Sequence, residues 1–311
     1  MPTDSVFLWI ATGIIFLIIL GNLLAAQSKR VQRKEVFTFW QRVGLPMATD
    51  EINASVSRRL HRSATASMFG ALAGALVASC ILFLTPEPDF SFSYSWLVVL
   101  PAVLIGMNVF DVALALRDSL FTKRPDAPRL ARAMSISPAD YLSPWRVRMA
   151  PLLIILAGLV FVVALVLGAM EAISLSAFWG SMALSSLAVA VLALLGAVLV
   201  SRRIVQTPQP VSDPLELAWA DAIRADTFRK LHLLTASVAW LALGAGALGV
   251  TEAMEPSLAV SAGLNLGQLV ISWGFLAILL MFTYGSSHSY FRYRLWPKIL
   301  MDTEATTSGE R

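Results

Sequence analysis

The chain has 311 residues, of which 57% are hydrophobic and only 14% charged, and its mean hydropathy is +0.70. A soluble domain of this size needs far more polar surface to cover its exterior, so the composition excludes one and points to lipid as the solvent. A single cysteine, Cys80, excludes an intramolecular disulfide and a thiolate-rich metal site.

Seven apolar stretches, near 6–26, 66–85, 94–116, 149–170, 175–200, 232–251 and 264–285, are each long enough to cross about 30 Å of hydrocarbon at helical rise. They predict an all-α polytopic membrane helix bundle of seven transmembrane helices in one domain over 1–311. The first stretch is preceded by Asp4 and followed by Lys29, Arg30, Arg33 and Lys34. A signal peptide carries its basic residues before the apolar core, so this stretch is expected to stay as an anchor. The segment 27–65 then holds eight Lys or Arg, 117–148 seven, 201–231 five and 286–311 four, which together are all 24 in the chain. The alternate segments carry only acids: Asp4, Glu87, Asp89, Glu171, Glu252 and Glu255. Basic loops stay cytoplasmic, so the N-terminus is expected outside and the C-terminus inside. Orientation thereby accounts for the pI of 9.5, and no nucleic-acid partner is expected.

The basic segments contain a recurring unit. Arg58–Arg59–Leu60–His61 returns as Arg229–Lys230–Leu231–His232, and a looser pattern recurs three times: Asp50 with Arg58, Asp140 with Arg148, Asp221 with Arg229, eight residues apart each time. Each copy leads into an apolar hairpin, giving one anchor helix plus three hairpin repeats introduced by cytoplasmic amphipathic helices. Common ancestry and convergence on basic juxtamembrane helices both account for the pattern. Helix starts are expected at Thr49–Asp50, Ser137–Pro138 and Asp213–Pro214, where a capping side chain or a first-turn proline fits the orphan N–H groups. Leu215, Trp219 and Ile223 follow the last of these at four-residue spacing, on one face. The proline-bearing segments Lys123–Pro128 and Pro208–Pro210 read as extended linkers. The polar tail 302–311 is expected to be disordered.

Chemistry is sparse. There is no HExxH pair or other metal-ligand spacing, no Walker A loop, no GxGxxG after a strand and no GxSxG elbow. The last stretch has no Lys for a retinal Schiff base. No catalytic residue, metal or cofactor is therefore expected. Polar groups inside spans are costly, which makes them the best candidates for a site. Asp111 leads, about 9 Å from the basic end of its helix, with Asn108 one turn earlier on the same face. Asn265 and Gln268 share a face of the last helix. Two readings of Asp111 remain open: a polar path or a proton- or ion-linked carboxylate, or a structural role in interhelical hydrogen bonding or a salt bridge to a repeat arginine.

Small residues recur every four positions at Ala66, Gly70, Gly74 and Ala78, and again at Ala242 with Gly246 and Ala245 with Gly249. Such stripes let helices approach closely, within the protein or against a separate membrane subunit. Val43–Gly44–Leu45–Pro46, Ala139–Asp140–Tyr141–Leu142 and Pro214–Leu215–Glu216–Leu217–Ala218–Trp219 resemble segments of uncharacterised multipass membrane proteins of high-GC Gram-positive bacteria. That resemblance implies a bacterial inner-membrane address and no activity. The expected partners are the lipid bilayer and a cytoplasmic protein, an ATPase or a regulator. The expected role is a non-enzymatic, transport-related permease subunit; a scaffold without transport activity and an intramembrane enzyme are the alternatives.

Overall fold

The computed structural model describes residues 2–45, 50–84, 92–121, 136–207, 214–255, 258–284 and 290–296. Among them are eleven helices and no strand: α1 (Pro2–Ala26), α2 (Lys29–Val43), α3 (Asp50–Leu84), α4 (Phe92–Phe121), α5 (Pro138–Tyr141), α6 (Pro144–Ala169), α7 (Leu175–Gly180), α8 (Ala183–Gln206), α9 (Pro214–Glu252), α10 (Leu258–Thr283) and α11 (Tyr290–Leu295). The chain is thus an all-α helix bundle. Six helices are long and apolar enough to cross a membrane, and the pair Gly13–Ala26 and Lys29–Val43, bent by 85°, raises the number to as many as seven. The expected caps at Thr49 and Asp213, the linkers Lys123–Pro128 and Pro208–Pro210 and the tail 302–311 lie outside the described residues.

The packing is that of a protein in lipid. Along α6, Ala150, Ala157 and Ala164 face inward at seven-residue spacing and are fully buried, as are Ala183 and Ala190 on α8, with Ala197 nearly so. The large apolar side chains point out instead: Ile155 is 68% exposed and Leu192 67%. Alanine seams bring backbones together, while lipid tails solvate the Leu, Ile and Val that a soluble protein would have to hide. This supports an integral membrane protein. Helix α9 is the central strut, packed by α4, α6, α8 and α10.

The small-residue stripes pack within the chain. A methyl group on Gly70 would lie 2.2 Å from the carbonyl oxygen of Gly106, and one on Gly74 2.1 Å from that of Ala102, so α3 and α4 cross at backbone contact. On α9, Gly246 faces Val160 of α6 and Gly249 faces Ser181.

Three features differ from the sequence expectation. The stretch 175–200 is not one helix: α7 ends at Gly180, and Ser181, whose hydroxyl donates to Phe178 O (2.6 Å) and accepts from Ala183 N (3.3 Å), separates it from α8. Hydropathy averages over such a break. The cytoplasmic amphipathic helices expected before the first and third hairpins are not separate from the spans; they are the first turns of α3 and α9, which at 35 and 39 residues run about 52 and 58 Å, well beyond a hydrocarbon core. In the middle copy the lead-in is the short α5, stopped before Pro144, because the residue preceding a proline is pushed out of the helical region. Finally, α2 turns across the end of the bundle as a helix of its own.

The projecting ends of α3 and α9 gather a second core at the basic end. Phe39 and Val43 of α2, Val56 of α3, Tyr141, Ile204, Trp219, Phe228 and Phe291 pack there together. Gly44 ends α2 in the left-handed conformation (φ 64°), which glycine adopts without a Cβ penalty, and its carbonyl accepts from the Arg292 guanidinium. The segments between spans are thereby fastened into one body.

Candidate functional site

The site forms where α3, α4 and α9 cross near that end. Lys230 on α9 uses its three N–H donors on three partners: Ser63 Oγ (2.8 Å), Asp111 (2.9 Å to Oδ2) and Asp226 Oδ2 (2.9 Å). The Ser63 hydroxyl donates in turn to Asp111 Oδ1. The Lys230, Asp111 and Asp226 side chains are only 11%, 13% and 15% exposed. Helical spacing produces half of this arrangement: Asp226, Arg229 and Lys230 stand at i, i+3 and i+4 on α9, so one carboxylate reaches both cations. Arg229 places Nε (3.0 Å) and Nη2 (2.8 Å) on Asp226 Oδ1 and gives Nη1 to Phe282 O at the end of α10 (3.4 Å). On α3, Arg59 reaches Asp118 of α4 (3.9 Å) and Thr227 of α9 (3.4 Å).

Two spaces adjoin the cluster. A small cavity lined by Arg59, Ser63, Asp111, Asp118, Asp226 and Lys230 holds about 20 Å³, room for a single water. A groove of about 350 Å³ between α2, α3 and α9 shares Ser63, Asp226 and Lys230 with it and opens outward beside Lys34, Glu35 and Arg42. The charges are therefore recessed from the basic end rather than sealed in. Burial in the groove raises the Glu35 carboxyl above its ordinary value, against the smaller opposing pull of His61.

The expected residues divide clearly. Asp111 sits at the centre, paired with Lys230. Asn108 does not join it; its amide donates to Leu104 O of its own helix (2.7 Å). Gln268 lies on α10 with Oε1 buried and no partner among the described residues, and the Asn265 side chain lies outside them. The repeat charges have unlike roles. Asp140 caps α5, accepting from Ser137 N (2.8 Å) and Ser137 Oγ (2.9 Å). Asp221 is fully buried and accepts from Tyr141 Oη (3.0 Å) and Trp296 Nε1 (3.0 Å). Arg229 belongs to the charge cluster. Arg58 and Arg148 are exposed, while their neighbours Arg59 and Arg146 turn inward, Arg146 donating to Met281 O (3.0 Å). The Asp50 side chain lies outside the described residues.

Sequence reasoning missed Lys230, Asp226 and Ser63. Lys230 was within reach: it is the repeat partner of Arg59, two cations at matching positions in helices that lead into spans. Asp226 was legible from its i+3 and i+4 cations. No sequence signal marks Ser63. Among the described residues no group of three or more His, Cys, Asp or Glu is placed to hold a metal. No protein-family model, curated protein or solved structure matches the chain.

Proposed function

We propose that the chain is a multipass, non-enzymatic subunit of a bacterial inner-membrane transport system, N-terminus outside and C-terminus cytoplasmic, with Asp111 as its ion-linked carboxylate. The observation that carries this reading is Lys230 clamped between Asp111 and Asp226 where three helices cross. Taking three charges out of water costs several kcal/mol per ion, and such clusters are weak contributors to stability compared with well-packed apolar residues. Ionisable groups retained inside a membrane bundle accordingly favour a working role. In this reading the Lys230 ammonium occupies the cation position of Asp111, and a proton or cation arriving through the groove takes its place, freeing α4 to move against α9. The basic body built on α2, α5 and α11 is the surface for a cytoplasmic ATPase or regulator. A triplicated ancestral hairpin accounts for the matching positions of Arg59 and Lys230.

The experiment is proton flux into liposomes containing the purified chain, driven by a potassium diffusion potential and read by an entrapped pH dye. Flux above empty liposomes that disappears in Asp111→Asn, with folding retained, supports the reading. Flux unchanged by that variant refutes it. The cytoplasmic partner is tested by purification from native membranes in mild detergent, where a chain that emerges alone counts against it. A scaffold without transport activity is favoured by one observation: the cavity directly beside Asp111 has room for no more than a single water.

A further inference from the structure

The groove between α2, α3 and α9 is lined by charges of unequal standing. Those on α9 are compensated: Arg229 is spent on Asp226 and Phe282 O, and Lys230 on two carboxylates and Ser63. Those on α2 are not. Lys34 and Arg42 stand on one edge of α2 at i and i+8, with Thr38 between them, and neither has an ion-pair partner among the described residues. Burial raises the pKa of Glu35, the acid beside them, above its ordinary value. Between this cationic edge and the α9 wall lies an apolar floor of Val31, Phe39, Leu60 and Ala64.

The position of α2 selects among anions. The 85° bend after Ala26 lays α2 across the mouth of the bundle, where a span gives way to the interface. Phe37 is 52% exposed on α2 and rests against Trp40, their ring centroids 5.6 Å apart. An exposed aromatic among cations, on a helix lying across the end of a membrane bundle, is the arrangement by which interfacial helices sit at headgroup depth. A phosphate at that depth belongs to a lipid, and its acyl chains have an apolar path along the outer faces of the spans.

We propose that this groove is a binding site for the phosphate headgroup of an anionic phospholipid, with Lys34 and Arg42 as its charged contacts, Thr38 as a hydroxyl donor between them and the apolar floor beneath. The site stands apart from the transport reading and does not require it.

The test uses the purified full chain in a neutral detergent. Phosphatidylglycerol, phosphatidylcholine and inorganic phosphate are added separately, and thermal stability is read at 0.15 M salt. Phosphatidylglycerol is expected to raise Tm by roughly 5 °C near saturation, phosphatidylcholine and inorganic phosphate by little. Lys34→Gln/Arg42→Gln loses most of that rise, whereas Arg202→Gln/Arg203→Gln, exposed cations off the groove, keeps it. An equal rise in the Lys34/Arg42 variant overturns the site. An equal rise with inorganic phosphate overturns the lipid assignment, since the anion alone then suffices. Should the double variant elute differently from the parent, the single variants decide, each expected to lose at least about half of the shift.

Discussion

Replacing Lys230 with Met keeps most of the length of the side chain and removes its charge, and the structure sets how the cost should fall. Lys230 touches two carboxylates, but they are not equally dependent on it. Asp226 keeps both bonds from Arg229. Among the described residues, Asp111 is left with the Ser63 hydroxyl as its hydrogen-bond partner. Breaking a buried pair by removing one partner costs about 3–5 kcal/mol, because the other charge is left uncompensated. Here that penalty concentrates on Asp111, so Asp111→Asn should recover much of it when combined with Lys230→Met. A double-mutant cycle on unfolding free energy in mild detergent should give a coupling of about 1–3 kcal/mol. Asp226→Asn, by contrast, should couple to Arg229 as strongly as to Lys230. Additive losses at Lys230 and Asp111, or no loss on Lys230→Met, would refute the clamp.

Gly106→Ala places a methyl group 2.2 Å from Gly70 O, where ordinary contact begins at 3.4 Å, so α3 and α4 must part by about the difference of 1.2 Å; overpacking of this kind costs about 1–3 kcal/mol, read as a lower thermal midpoint in detergent. Gly158→Ala, whose added carbon meets nothing within 4 Å, is the control and should stay within about 0.5 kcal/mol of the parent. Asp221→Ala removes the carboxylate that accepts from the buried Tyr141 hydroxyl and the half-buried Trp296 indole and should cost about 1–3 kcal/mol, loosening α11 and raising its protease sensitivity. Because burial raises the folded pKa of Glu35, its charged form is the destabilised one at neutral pH. Stability from the neutral form is present at acid pH and is lost as pH rises through the folded value. Glu35→Gln should therefore gain on the parent between acid and neutral pH, and a difference that does not change with pH would contradict this.

The sequence made the bundle legible because lipid imposes length and apolarity on each span, and α3, α4, α6, α9 and α10 cover the stretches expected to cross. It did not show the break at Ser181, since a serine between apolar residues leaves hydropathy unchanged while its hydroxyl competes for the backbone. Nor did it show that the lead-ins of the first and third hairpins continue the spans, because amphipathic spacing is the same for a surface helix and for the protruding end of a long one. Asp111 was found because a carboxylate within a span is conspicuous. Its partner was not, because Lys230 lies in a segment already rich in cations, and burial rather than composition separates it from exposed Arg58 and Arg148. Only the crossing of α3, α4 and α9 picks Ser63 from the other hydroxyls.

In the proposed function, Asp111 carries an exchangeable cation rather than a fixed structural charge. Dye-reported proton entry into liposomes under an imposed potential, compared between the parent chain and Asp111→Asn matched for folded protein, tests it most directly. Flux with the parent is expected to fall at least about tenfold in the variant, because a group acting on the transported ion is neutralised. Equal flux from the two proteins, or a variant that only lowers the thermal midpoint while flux per folded molecule is unchanged, would contradict it.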